Sequence, residues 1–253
     1  MSESMAAPLL TDEQLEELVG LIHDADTVEL KLTVPDADRR STVTALGLDP
    51  LEAFIRQVFF FDTPDLALDA AGVVVRARRT QSKPEDSVVK LRPVVPADLD
   101  PELRARKRFN VEVDALPGGF VCSASFKGQI EDGGVLAATS GAKPLSTLFS
   151  RGQRGFFADH APDGLALDDL TVLGPVHVFK LKTVPAGEDR KLVTELWFYP
   201  DGSRILELST KCAPGEAFQV AAETRAFLAG RGVNLSGEQE TKTRTALDFF
   251  TRA

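Results

Sequence analysis

The sequence predicts a mainly β fold with flanking helices (α+β): a closed antiparallel barrel of about eight strands, its charged faces inward and its helices outside. Three observations predict it. Short segments of alternating apolar and polar residues recur along the chain, mostly with short connections. Their polar faces carry full charges, where an ordinary wet sheet face mixes Thr, Ser, Gln and Lys. The charges also sort by sign, with basic pairs on the middle strands and carboxylates on the first, fifth and later ones. Like charges on neighbouring strands repel, so this arrangement makes sense if a multivalent anion and its metal sit between them.

The first element is a helix over Thr11 to His23, where Thr11 and Gln14 form a capping box and Leu15, Leu18, Val19 and Ile22 recur at helical spacing. A strand follows over Thr27 to Val34, and a short helix fills Ala37 to Gly47. Phe54 to Asp62 is aromatic and β-branched and reads as a strand. Thr63-Pro64-Asp65 then turns the chain into a small helix ending near Gly72. Strands come next over Val73 to Arg79, Ser87 to Arg92 and Lys107 to Asp114. Residues 116–163 shift to Gly, Ala and Ser with scattered apolar positions, which predicts a helical insertion. Asp168 to Leu173 reads as a short extra strand, ahead of strands over Val176 to Thr183, Val193 to Tyr199 and Ile205 to Thr210. Pro200-Asp201-Gly202 is a tight turn between the last two. Helices over Glu216 to Ala229 and Glu240 to Phe250 complete the chain. The whole reads as one domain over 1–253, with 1–24 an N-terminal helical extension and 214–253 the C-terminal helices.

At 253 residues and 43% hydrophobic content, the chain can bury a sizeable core. A net charge of −9 excludes a global basic field for nucleic acid or an anionic membrane, so any anion site is a local concentration of Lys and Arg. Cys122 and Cys212 are too few for a disulfide scaffold and read as reduced thiols. No apolar run is long enough to span a bilayer, and MSESMAAPLLTDEQ lacks the order of a signal peptide, so the expected location is the cytoplasm. His23, His160 and His177 lack zinc spacing. There is no Walker loop, no Gly-x-Gly fingerprint and no G-x-S-x-G elbow.

Residues two apart on a strand share a face. On that basis Glu29 and Lys31 lie together, as do Arg76 with Arg78, Lys90 with Arg92, and Lys180 with Lys182. Arg108, Asn110, Glu112 and Asp114 make a four-residue polar row, and Glu207, Ser209 and Lys211 another. The basic run Arg104-Ala105-Arg106-Lys107-Arg108 reads as a loop leading into the inner row. Trp197 shares the face of Glu195 and could stack an organic group at the tunnel mouth, although core packing is the commoner fate of a lone Trp.

At these residues the chain resembles the CYTH superfamily, the triphosphate tunnel metalloenzymes, over about Thr27 to Phe250. The family's E-x-E-x-K appears as Thr27-Val28-Glu29-Leu30-Lys31, and its Tyr-Tyr-Asp-Thr-Pro-like segment as Phe60-Phe61-Asp62-Thr63-Pro64. Its basic strands resemble Arg76-Ala77-Arg78 and Lys90-Leu91-Arg92, and its R-x-E-x-E-like row Arg108, Glu112 and Asp114. The later Lys-rich strand resembles Lys180 and Lys182, with Arg190 soon after. The acidic strand ending in Asp-Gly resembles Glu195 and then Asp201-Gly202, the late E-x-E Glu207-Leu208-Ser209, and a terminal Ser-Lys-like motif Thr241-Lys242-Thr243.

The resemblance implies binding of a triphosphate-containing small molecule or polyphosphate, and metal-dependent triphosphate hydrolysis, with Mg²⁺ or Mn²⁺ as cofactor. It implies phosphate binding by Arg76, Arg78, Lys90, Arg92, Lys180 and Lys182, with Arg190 beside them, and Lys31 and Arg108 on an end phosphate. It implies metal binding by Glu29, Glu207 and Glu195, while Glu112 or Asp114 takes a second metal or orients the water. Glu29, Lys31, Glu112 and Asp114 are thus the catalytic candidates, and Lys242 would close one mouth. Two departures matter: Thr27 stands at the family's first glutamate and Ser209 at its last. A hydroxyl is a poorer ligand for a hard cation than a carboxylate. These departures motivate a second reading, a non-catalytic sensor or carrier of such anions, and the resemblance also leaves open an adenylyl cyclase, an activity that the family includes.

Overall fold

The computed structural model describes residues 10–185, 188–235 and 242–252. Its strands are β1 (Thr27–Val34), β2 (Phe54–Asp62), β3 (Val73–Thr80), β4 (Lys83–Leu91), β5 (Phe109–Leu116), β6 (Gly119–Ile130), β7 (Thr171–Thr183), β8 (Leu192–Phe198) and β9 (Arg204–Cys212). Its helices are α1 (Asp12–Asp24), α2 (Arg39–Ala45), α3 (Ala67–Ala70), α4 (Pro101–Arg104), α5 (Gly134–Thr139), α6 (Arg151–Ala158), α7 (Ala217–Gly230) and α8 (Lys242–Arg252). The strands close into a ring in the order β1-β5-β6-β4-β3-β2-β7-β8-β9. Eight of the joints are antiparallel, as the alternating hairpins dictate, and β1 runs parallel to β5.

Alternation along each strand creates two faces. The outward face is apolar and meets helices. Val28, Val75, Val89, Val111 and Ala124 pack with Leu18 and Ile22 of α1, Val135 of α5, and Phe156 and Phe157 of α6. Leu32, Leu181, Leu206 and Leu208 pack with Leu46, just past α2, and Leu228 of α7. A third apolar cluster lies on the inward face. Val58 sits opposite Arg78, Phe60 opposite Arg76, and Val178 opposite Trp197, and they pack with Val176, Ile205 and the α8 residues Ala246 and Leu247. One end of the bore is thus apolar and stopped by α8, while the rest is lined by charge.

Several expectations change. The barrel has nine strands with one parallel joint, rather than eight all antiparallel. The predicted helical insertion over 116–163 opens with β6, whose inward positions include Ser123 and Ser125; small polar residues gave no alternation signal. The two predicted strands at Asp168–Leu173 and Val176–Thr183 are one strand, β7, carrying a bulge opposite Val58 and Phe60. β4 begins earlier than expected, at Lys83. Arg108 precedes β5 with a left-handed φ of 71°. The helices are not all outside, because α8 fills one end of the bore. The Thr11–Gln14 capping box is present, as is the Asp201-Gly202 turn, which Tyr199 and Ser203 close. Cys122 and Cys212 are buried and unpaired. Residues 1–9, Glu240 and Thr241 lie outside the described residues.

Candidate functional site

β1 lies between β5 and β9, and this places the first group of acids. Its parallel register with β5 sets Thr27 beside Glu112 and Glu29 beside Asp114, while β9 brings Lys211 opposite Glu29 and Ser209 opposite Lys31. Glu29, Glu112 and Asp114 offer carboxylate oxygens that all lie within 4.8 Å of one another. Three carboxylates this close are tolerated because lysines reach between them. Lys31 Nζ is 2.8 Å from Asp114 Oδ1 and 3.3 Å from Glu29. Lys211 pairs with Glu112 and stands 3.6 Å from Glu29. Burial pushes the Asp114 carboxyl up, yet Lys31, Lys90 and Arg92 together hold it far below the usual carboxylate range. Glu29 is lowered in the same way, burial being outweighed by Lys31 and Lys211. Thr27 Oγ1 donates to Glu112 at 3.3 Å, so this hydroxyl touches the acidic cluster.

Across the bore, β3 and β4 supply the cations. Lys90 Nζ is 3.8 Å and Arg92 3.7 Å from Asp114. Arg78 pairs with Asp86 at 2.6 Å. Arg76 makes no ion pair among the described residues, and its buried Nε has no hydrogen-bond partner. Burial and the adjacent Arg78 push the Arg76 guanidinium down to about 10, and burial pushes the Lys90 ammonium down to about 8. Cations held out of water with too few counter-charges are poised for an anion.

Glu195 and Glu207 form a second acidic group. They face each other across β8 and β9. Lys242, from the first turn of α8, reaches both, 2.8 Å from Glu195 and 2.5 Å from Glu207. Its ammonium also lies 5.0 Å from the Trp197 ring centroid. Glu195 additionally accepts from Lys180 at 2.5 Å, from Arg56 at 3.4 Å and from Trp197 Nε1 at 3.2 Å. Burial would raise the Glu195 carboxyl, but Lys242 and Lys180 hold it well below the ordinary range.

The structure therefore brings together Glu29, Lys31, Arg76, Arg78, Lys90, Arg92, Glu112 and Asp114, with Lys180, Glu195, Glu207 and Lys242 beside them. The five expected metal ligands fall into two groups: three cluster, and Glu195 with Glu207 are held by Lys242. Arg190 does not join, because it pairs with Glu216 and Glu223, beside and on α7, at 3.6 Å each. Lys182 is exposed near the end of β7, and Arg108 is exposed at the rim. Trp197 is 3% exposed and packs under α8, so it is core and not a stacking surface at a mouth. The sequence reading missed Arg56, Lys127 and the ion-pairing role of Lys211. Arg56 alternates with Val58 and Phe60, a signal in the sequence, whereas Lys127 was hidden by the misread β6.

No protein-family model and no curated protein matches the sequence. Solved structures do match. A candidate adenylyl cyclase from Hippeastrum, described as having a dominant triphosphatase activity, superposes with a TM-score of 0.65 at 18% identity, over 87% of this chain and 95% of that one. A candidate adenylate cyclase from Bacillus halodurans superposes with a TM-score of 0.59 at 12% identity, over 87% of this chain and 98% of that one. In keeping with its resemblance to the CYTH superfamily, the chain shares the overall fold of these two proteins.

Proposed function

We propose that the barrel binds a triphosphate or polyphosphate anion and hydrolyses a triphosphate with a divalent metal, Mg²⁺ or Mn²⁺. The observation that carries this reading is Arg76, half-buried, its Nε without a hydrogen-bond partner and its guanidinium without an ion pair among the described residues, beside Arg78 and Lys90 and across the bore from a cluster of three carboxylates. An all-oxygen, acidic donor set suits a hard divalent cation, so Glu29, Glu112 and Asp114 fit one. When bound, the metal supplies charge neutralisation on the phosphate oxygens and polarisation of the attacking water. Arg76 and Arg78 hold phosphate oxygens with their planar forks, and Lys90 and Lys31 act as point charges. Glu112 or Asp114 orients the water. Closure of one end by α8 limits water around the anion, which strengthens these contacts. The activity described for the Hippeastrum protein supports the same reading.

A second reading, a non-catalytic anion sensor or carrier, is favoured by one observation. Lys31 and Lys211 already occupy the carboxylates, and Thr27 and Ser209 add no charge. An adenylyl cyclase is the third.

The test is a screen of inorganic and organic triphosphates for phosphate or pyrophosphate release with Mg²⁺ and then Mn²⁺, run beside thermal denaturation. A ligand at about 100 times its dissociation constant stabilises by about 2.7 kcal/mol. For a chain of this size, that is a rise of roughly 5–11 °C. Replacing both Arg76 and Arg78 by Ala should remove the shift. A shift without turnover supports the sensor, and pyrophosphate release from ATP the cyclase. The absence of both a shift and any release refutes the tunnel reading.

A further inference from the structure

The end of the bore opposite α8 carries a feature that the proposed hydrolysis leaves unused. A cavity of about 380 Å³ opens there, lined by Arg108, Phe109, Asn110 and Lys127. The two cations are held by backbone: the Lys127 amide donates to the Arg108 carbonyl at 3.1 Å, and Arg108 takes the left-handed φ of 71° to make that turn. A non-glycine residue there costs of order 1 kcal/mol, so the conformation persists against a penalty. Arg108 makes a 3.4 Å hydrogen bond to Gln129 and no ion pair, and Lys127 makes none, among the described residues. The carboxylate acting most strongly on Lys127 is Glu112, which Lys211 already pairs, and its cationic neighbours include Arg78 and Arg76. Lys127 thus links the rim to the cations of the bore.

Because α8 stops the other end, a linear anion seated on Arg76 and Lys90 can extend only toward this rim. We propose that Arg108 and Lys127 form an outer subsite for the fourth and later phosphates of a linear polyphosphate. This rests on the proposed anion binding in the bore and goes beyond it to chain length.

The experiment is calorimetric titration of the full chain with inorganic triphosphate and inorganic tetraphosphate, without metal. The proteins are the unmodified chain, Lys127→Gln, Arg108→Gln, and Lys143→Gln as an exposed control between α5 and α6. The unmodified chain and the control should bind tetraphosphate about five-fold more tightly than triphosphate, a size fitting partly exposed charge contacts. Both rim variants should bring that ratio toward one, and Lys127→Gln should do so while changing triphosphate affinity less than about two-fold. A ratio near one in the unmodified chain, or a ratio the rim variants retain, overturns the subsite and leaves the inner site standing. Absence of triphosphate binding by the unmodified chain overturns both.

Discussion

Lys242 offers the sharpest test of the charged bore. It projects from α8 between Glu195 and Glu207, which face each other across two strands, and it is the ion-pair partner of Glu207 among the described residues. Lys242→Met keeps the stem against Trp197 and removes the charge. Breaking a buried ion pair costs about 3–5 kcal/mol, because the abandoned charge stays out of water. Glu195 keeps Lys180 and Arg56, so the lower end applies. About 3 kcal/mol lowers the Tm of a chain this size by roughly 6–12 °C at pH 7. The sign of the pH dependence follows from Glu195. Its folded pKa is depressed, so its contribution is complete above the ordinary value of 4.5 and is lost as pH falls toward the folded value. In the variant, protonation of Glu195 relieves the repulsion that Lys242 had quenched. Both effects set in as pH falls through about 4.5 and narrow the gap between the two proteins below it. Thermal scans at pH 7, 4.5 and 3.5 measure it, and adding Glu207→Gln to the variant should recover much of the loss. A drop under about 2 °C at pH 7, or a gap that does not change with pH, would refute the reasoning.

Two further outcomes test the metal side. Glu29→Gln should cut metal-dependent turnover at least about 100-fold while leaving metal-free triphosphate binding in place; normal turnover removes Glu29 from the metal site. Thr27→Glu with Ser209→Glu should tighten Mn²⁺ binding about ten-fold by calorimetry, since added carboxylates raise the charge of the site. Thr27 is in register with Glu112, but Ser209 faces Lys31, so unchanged Mn²⁺ affinity would mean that the new acids pair with Lys211 and Lys31 instead.

The inward charge rows were legible because full charges at Arg76 and Arg78, Lys90, and Glu112 and Asp114 alternate with apolar residues, a pattern that an ordinary wet sheet face avoids. What escaped depended on distance. Nothing local to Thr27–Leu30 announces that it lies parallel to Glu112–Ala115. β6 carries Ser123 and Ser125 inward and Cys122 and Ala124 outward, side chains too small to show a period. Arg190 follows Lys180 and Lys182 in sequence, yet it lies past the end of β7 and turns outward to α7. The division of the acids was hidden as well, because it depends on where Lys242 of α8 arrives.

The parallel joint has a consequence for how this molecule assembles. Strand directions that alternate strictly around a ring can meet themselves only when the strands are even in number, so nine strands force one joint of like direction. Here that joint lies along β1, the strand whose neighbours are most distant in sequence: Thr27 and Glu112 are 85 residues apart, and Val28 and Cys212 are 184. Hairpins such as β3–β4 and β8–β9 close short loops at low entropic cost, whereas the seam at β1 must wait for long ones. Glu29 and Lys31 therefore meet Glu112 and Asp114 only when β1 pairs with β5, and Lys211 arrives separately with β9. Until β1 docks, Glu29 stands apart from the other two carboxylates of the cluster. Any cation held there acts as a clasp on the finished ring and slows its reopening at that seam first.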